Sequence, residues 1–256
     1  MQFPLAQPLA AHFVWIDETG STNSDLIERA ASLPDFSVRV AGFQNAGKGR
    51  SGRTWVAPAG SSLFVSVLIK PEALPVGKFS WLPLLAGLAI TNVVNSFDPE
   101  NPATLKWPND VLINQQKISG VLSELVSDLS GVVIGAGLNI SQQQSELPIE
   151  NATSLKLQKV ETNLDEVLSR YLTELKRLLS AFTEAGGDAN KSRLRFEILQ
   201  HCSTIGSRVK VVLPGDEELF GDAVGIDDTG RLILLPDDST QIVPISAGDI
   251  VHLRHN

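Results

Sequence analysis

The sequence predicts an α+β protein in two parts, a larger mixed region over residues 1–204 and a small all-β unit over 205–256. Three patterns predict it. Short alternating, β-branched runs are interleaved with helical stripes through the larger region. One stripe, over 163–185, repeats apolar residues at the i, i+3, i+4 spacing of a long amphipathic helix. After Cys202 the helical signal stops, and short β-rich runs alternate with Pro-Gly-Asp, Asp-Asp-Thr-Gly and Asp-Asp-Ser turns. That texture belongs to a small antiparallel sheet or barrel.

Taken in order, residues 13–16 read as a strand. Ser21 or Thr22 caps a helix running to about Leu33, with Asp25 in its first turn to suit the helix dipole. A strand over 38–44, a glycine-rich loop over 47–55 and an alternating strand over 62–69 follow. Residues 80–97 form a buried helix with Pro83 near its start, where proline is tolerated. Residues 105–113 and 117–126 read as two strands joined through Asn114-Gln115-Gln116, and 132–137 as another. Asn163 and Glu166 form a capping-box pair for the long helix, and Gly186-Gly187 ends it.

Composition narrows the function. With 43% hydrophobic and 20% charged residues and a mean hydropathy of +0.06, the chain is globular, not disordered or fibrous. Cys202 is the single cysteine, which excludes an internal disulfide framework and a multi-cysteine zinc site. No signal peptide is read at the N-terminus. The charge-free run over 79–97 ends in polar residues and is expected to be a core helix, not a membrane span. A cytoplasmic protein that binds neither membrane nor nucleic acid is therefore expected. The net charge of −8 opposes polyanion binding. Yet residues 36–71 hold Arg39, Lys48, Arg50, Arg53 and Lys70 and none of the 29 acidic residues, a positive island suited to a small anion.

Four constellations carry chemistry. In Gly47-Lys48-Gly49-Arg50-Ser51-Gly52-Arg53-Thr54-Trp55, glycines let backbone approach a ligand, and Lys and Arg supply charge. Such a loop should be mobile until an anion orders it; a solvated basic surface loop is the alternative. It lacks the Walker pattern, and no strand-to-helix context supports a dinucleotide fingerprint. In Lys106-Trp107-Pro108-Asn109-Asp110, Pro108 fixes an extended approach and Asp110 can hold a metal or a cation, against the alternative of an Asx turn. In Lys117-Ile118-Ser119-Gly120, alternation puts Lys117, Ser119, Val121 and Ser123 on one face; an inward lysine needs an anion, an outward one needs only water. In Gly135-Ala136-Gly137-Leu138-Asn139-Ile140, glycines permit close approach, and Asn139 either reads a base or ribose or is a turn residue. One logic fits all four: joining a carboxylate to a triphosphate needs clustered cations, Mg²⁺ and an enclosed site. The four histidines, His12, His201, His252 and His255, show no triad order.

These blocks, with Ser21-Thr22-Asn23 and Gln44 ahead of them, resemble the ordered signature of biotin protein ligases over residues 15–254. The resemblance implies a mixed sheet flanked by helices, like the catalytic domain of class II aminoacyl-tRNA synthetases and lipoyl ligases, with a Src-homology-like barrel at the C-terminus. It implies two steps: biotin and ATP form biotinyl-5′-AMP, which then acylates one lysine of a biotin carboxyl carrier domain. By the same resemblance Ser21, Thr22, Asn23 and Gln44 hold the ureido ring, and Lys48, Gly49 and Arg50 belong to a loop that closes. Arg50 and Arg53 meet the carboxylate and phosphates, and Lys117 bridges carboxylate and α-phosphate, making these three the catalytic candidates. Trp55, Asn109 and Asn139 lie toward the adenylate, with Gly120 and Gly135 against the ligand, and Asp110 near Mg²⁺ or the incoming lysine. The family often has arginine where Lys48 stands; lysine keeps the charge and loses the fork.

Some relatives add an N-terminal helix-turn-helix, but the first motif here starts at residue 21, so a repressor role is not expected. A lipoate or octanoate ligase is the nearest rival reading, and a non-catalytic nucleic-acid-binding regulator the rival from another class.

Overall fold

A computed structural model describes residues 1–71 and 74–253. His255 lies outside the described residues.

Strand β1 (His12–Thr19) runs into helix α1 (Thr22–Arg29) and returns through β2 (Ser37–Gln44), a parallel crossover pair. Ser21 is the extended N-cap, but its side chain makes no capping bond. Gln44, at the end of β2, does that job: its Oε1 accepts from the Thr22 backbone N–H at 2.8 Å. Asp25, in the first turn, accepts from the Thr19 hydroxyl and faces buried Arg39 at 3.5 Å. On its inner side, α1 packs Leu26 and Ala30 against Leu68, Val126 and Val133 on one face of the sheet.

Strand β3 (Ser62–Ile69) is buried along its whole length. Helix α2 (Leu82–Asn95) follows, with Pro83 in its opening turn. Its 76–95 stretch has the length and apolar character of a membrane span, at mean hydropathy 1.2, but it packs in the core. Strands β4 (Ala103–Lys106), β5 (Asp110–Ile113), β6 (Gln116–Leu125) and β7 (Val132–Asn139) complete a seven-stranded sheet ordered β1-β2-β3-β7-β6-β5-β4, antiparallel except for β1–β2. Helix α3 (Leu164–Glu184) joins α2 on the face opposite α1, where Val38, Val40, Val65, Val67, Ile134 and Leu138 meet Leu85, Leu172 and Phe182.

Asn163 caps α3 as expected, its Oδ1 accepting from the Glu166 N–H at 3.0 Å. The box is not reciprocal, because the Glu166 carboxylate is taken by Arg170 at 2.7 Å and the Thr162 hydroxyl at 3.2 Å. One expectation is corrected, and one helix goes beyond the sequence reading. The single strand over 105–113 is β4 and β5, reversed on each other so that Lys106 pairs with Asp110; Trp107-Pro108, a cis peptide, lies within the reversal instead of extending the strand. A short helix α4 (Leu194–His201) had no sequence stripe, because only Leu194 and Ile198 of its residues are buried.

The chain then builds a second, antiparallel sheet from β8 (Arg208–Val212), β9 (Glu218–Ile226), β10 (Leu232–Pro236), β11 (Val243–Ile245) and β12 (Asp249–His252), ordered β11-β10-β9-β8-β12. This is the small Src-homology-like barrel unit. Val209, Val211, Ala223 and Leu234 are continuous with the main core, so the unit is docked and not tethered. Trp107 and Trp81 reach across to it, donating Nε1–H to the Gly230 and Asp228 carbonyls at 3.1 and 3.2 Å.

Replacing Asn163 by alanine removes the cap of the longest helix. We expect Asn163→Ala to lower stability by about 1 kcal/mol, read as a lower urea midpoint with an unchanged slope.

Candidate active site

A cavity of about 760 Å³ opens where the N-terminus of α1, the loop 47–55, the β4–β5 reversal, strands β6 and β7 and the first residues of β12 converge. Every site residue that the family resemblance implies lines it.

One end is polar and carries no charge in its lining. The Thr22 N–H and hydroxyl lie 2.8 and 3.0 Å from Gln44 Oε1, and the Ser66 hydroxyl lies 2.7 Å from Thr22 Oγ1 and 2.6 Å from Asn23 Oδ1. Asn23 donates from Nδ2 to the Leu122 carbonyl and to Glu124. Because the Ser21 side chain caps nothing, its hydroxyl stays available to a ligand. Glycine is required on β7 beneath these groups. A Cβ on Gly135 would run into Asn23 Oδ1, and one on Gly137 would come within 2.5 Å of the Trp55 ring.

The other end is cationic: Lys48, Arg50, Arg53, Lys106 and Lys117 line the cavity against two carboxylates, Asp110 and Asp249. The loop 47–55 is held as a compact lobe. Lys48 and Thr54 bridge across it, Gly49 N–H donates to the Arg53 carbonyl at 2.6 Å, and Trp55 N–H donates to the Gly47 carbonyl. From the lobe Arg50 donates to Asn109 Oδ1 at 3.0 Å and to the Gly248 carbonyl at 3.3 Å, while Arg53 meets Asp249 at 2.7 Å. The loop therefore bridges the central sheet and the barrel. Burial pulls the Arg50 guanidinium below its ordinary pKa, with Asp249 opposing the shift. Burial does the same to Lys106, with Asp110 opposing. An anion in the cavity would relieve both.

Lys117 Nζ is 2.6 Å from Asp110 Oδ1 and 5.5 Å from the centre of the Trp55 ring. The expected alternation on β6 is corrected here. A bulge lets Val111 face Ser119 while Leu112 faces Lys117, so Lys117 leaves the face of Ser119 and joins that of Gly120. Lys117 is thus inward, and Ser119 instead donates to the Gly137 carbonyl.

Other candidates prove less free than their types promised. Both ends of the Asn139 amide are engaged: Nδ2 donates to the Thr153 carbonyl at 2.9 Å and Oδ1 accepts from Gln142. Asn109 donates to the Val121 carbonyl at 2.6 Å while accepting from Arg50. Arg39 and Lys70, two of the five cations in the positive island, do not line the cavity: Arg39 is buried beside Asp25, and Lys70 Nζ donates to the Leu33 carbonyl. Among the described residues no three His, Cys, Asp or Glu side chains gather to hold a metal. Asp110, the metal candidate, is a single carboxylate already paired with Lys117. These residues do not make a resident metal site; magnesium commonly arrives on a phosphate instead.

Sequence reasoning missed Ser66, Lys106 and Asp249. Lys106 stood inside a quoted motif. Asp249 gave no signal, because its partner Arg53 is 196 positions away.

The family description "Biotin/lipoate A/B protein ligase family" matches residues 15–139, and "Biotin protein ligase C terminal domain" matches residues 204–253. The biotin--[acetyl-CoA-carboxylase] ligase of Mycobacterium tuberculosis is 40% identical over 93% of this chain and 88% of its own length. The chain belongs to the biotin protein ligase family. The bifunctional ligase/repressor BirA of Escherichia coli is 33% identical, over 90% of this chain and 70% of BirA. Among solved structures, the biotin protein ligase of Aquifex aeolicus in complex with biotin and ATP superposes with a TM-score of 0.79 at 28% identity, covering 96% of this chain and all of that one.

In this biotin protein ligase family member His252 links barrel to sheet, its ring nitrogens 3.2 Å from Thr204 Oγ1 and from Gln115 Oε1. Burial, and then Lys106, push its pKa down to about 4. An unfolded histidine takes its proton near 6.5, so between these values the unfolded chain binds more protons. The contribution to stability is intact above that window and is lost as pH falls through it. We expect the urea midpoint of His252→Gln to change less than the parent's between about pH 7 and about pH 5.

Proposed function

We propose that this chain activates biotin with ATP to biotinyl-5′-AMP and transfers the biotinyl group to a lysine of a biotin carboxyl carrier domain. The observation that carries the reading is the cavity itself, whose uncharged polar end and cationic end share one enclosure.

In the first step a biotin carboxylate oxygen attacks the α-phosphorus of ATP, the bond to the β-phosphate oxygen breaks, and pyrophosphate leaves. Two like-charged groups must meet, so cations that are desolvated and held in place count for more than mobile ones in water. Lys117 has three N–H donors; one serves Asp110, which leaves two for the carboxylate and the α-phosphate. Arg50 and Arg53 lie on the loop that covers them, with Lys48 beside them. Trp55, Asn109 and Asn139 wall the adenylate side, and Gly120 and Gly135 lie against the ligand. Mg²⁺ would enter on the triphosphate and would screen its charge. In the second step the carrier lysine arrives as an ammonium that Asp110 is placed to meet, loses one proton to solvent, and attacks the acyl carbon as the neutral ε-amine; the bond from that carbon to the phosphate oxygen breaks, AMP leaves, and a second proton is lost as the amide forms. Residues 1–204 form the biotin- and ATP-binding unit and 205–256 the barrel that supports its loop, and the reaction belongs in the cytoplasm.

The direct test is ATP- and biotin-dependent labelling of a purified carrier domain; no labelling, or equal labelling with lipoate, refutes the reading. Lys117→Ala should slow adenylate formation by about 10²–10³ while biotin affinity changes far less, measured by pyrophosphate release and calorimetry. Arg50→Ala should form adenylate yet lose it to solvent. Free biotinyl-AMP would then accumulate outside the protein in a quenched assay, and full retention would count against the closing role.

A further inference from the structure

Glu124 is a half-buried carboxylate near the polar end of the cavity that the proposed mechanism leaves without a task. It lies on β6 and does not line the cavity. Among the described residues it has no cation within 4.0 Å, and the side-chain amide of Asn23, at 2.7 Å, is its one hydrogen-bond donor. Asn23 is 4% exposed, and its other Nδ2 proton goes to the Leu122 carbonyl at 3.2 Å. Both neighbours of that nitrogen are pure acceptors, so the amide has one orientation, with Oδ1 toward Ser66.

That orientation sets the protons of everything beyond it. Three oxygen–oxygen contacts run from Asn23 Oδ1 to Ser66 Oγ (2.6 Å), on to Thr22 Oγ1 (2.7 Å) and on to Gln44 Oε1 (3.0 Å). Gln44 Oε1 is fixed as an acceptor by the Thr22 N–H. Both ends of the chain are therefore acceptors, and between them lie only the hydroxyl protons of Ser66 and Thr22. Two protons serve three contacts, so one contact is left without a proton and an acceptor in the cavity wall goes unsatisfied. With the Asn23 amide reversed, its N–H₂ would donate to Ser66, Ser66 to Thr22 and Thr22 to Gln44. All three contacts would then be filled, and beyond the Ser21 hydroxyl a ligand N–H would meet only the spare lone pair of Thr22 Oγ1 instead of an acceptor short of a proton.

We propose that Glu124 is a positioning residue that holds Asn23 in the proton-poor orientation and so keeps the Thr22–Gln44 wall receptive to a ligand N–H donor. Gly135 permits the arrangement, since a side chain there would displace Asn23 Oδ1. This rests on the ligase reading above, in which the donor is an N–H of the biotin ureido ring.

The test is steady-state labelling of a carrier domain by Glu124→Ala and Glu124→Gln beside the parent. Glu124→Ala should raise KM for biotin about tenfold or more, leave kcat at saturating biotin within about twofold and leave KM for ATP unchanged. Glu124→Gln still offers Asn23 an acceptor and should stay within about threefold of the parent. An unchanged biotin KM in Glu124→Ala overturns the proposal. So does an equal rise in the ATP KM, or a glutamine variant as weak as the alanine one. If Glu124→Ala does not fold, Glu124→Met, which fills the space without an acceptor, takes its place with the same expected outcomes. A parent protein that labels no carrier would refute the ligase reading itself, whereas an active parent with an indifferent Glu124→Ala refutes only the role of Glu124.

Discussion

Arg50, Lys106 and Lys117, kept half-buried around a void, repel one another and miss their water, and this structure is organised to make that tolerable. Lys117 leans on Asp110, Arg53 on Asp249, and Arg50 on the oxygens of Asn109 and Gly248. None of these contacts extinguishes the charge. Arg50 and Lys106 remain disfavoured as cations by burial. The free energy withheld there is what an incoming anion recovers, so the same desolvation that weakens the empty site strengthens the filled one.

Two neutral devices complete the arrangement. The βαβ start brings Gln44 to the first turn of α1, so a side chain from a strand caps a helix that its own Ser21 leaves open. On the neighbouring strands, Gly120, Gly135 and Gly137 have no side chains, which lets Trp55 and Asn23 lie almost on the backbone. The ligand wall is made of a sheet surface stripped bare at three points, with an aromatic ring and an amide laid over it.

Much of this was legible in the sequence. The strands, the long α3 stripe, the Asn163 cap and the ordered glycine-and-cation blocks each follow from local chemistry, and local chemistry is what a sequence records. What escaped depends on register or on distance along the chain. Simple alternation put Lys117 beside Ser119, and only the bulge opposite Val111 and Leu112 turns it toward the cavity. Pro108 read as an extended approach within one strand, whereas the alternative reading, an Asx turn at Asn109 and Asp110, lies nearer the reversal that pairs β4 with β5. Arg39 and Lys70 counted toward a positive island that tertiary structure splits, sending both to structural partners. Asp249 and Glu124 owe their significance to partners 196 and 101 positions away.

The pairing of Arg53 with Asp249 has a bearing on how the protein is made. Asp249 opens the last strand, whereas the loop it secures is among the early segments to be synthesised. A growing polypeptide therefore carries its cationic loop unlatched until Asp249, 196 positions after Arg53, has emerged from the ribosome. Timing is in this way written into the topology: the lobe gains its final fastening only once β12 is in place.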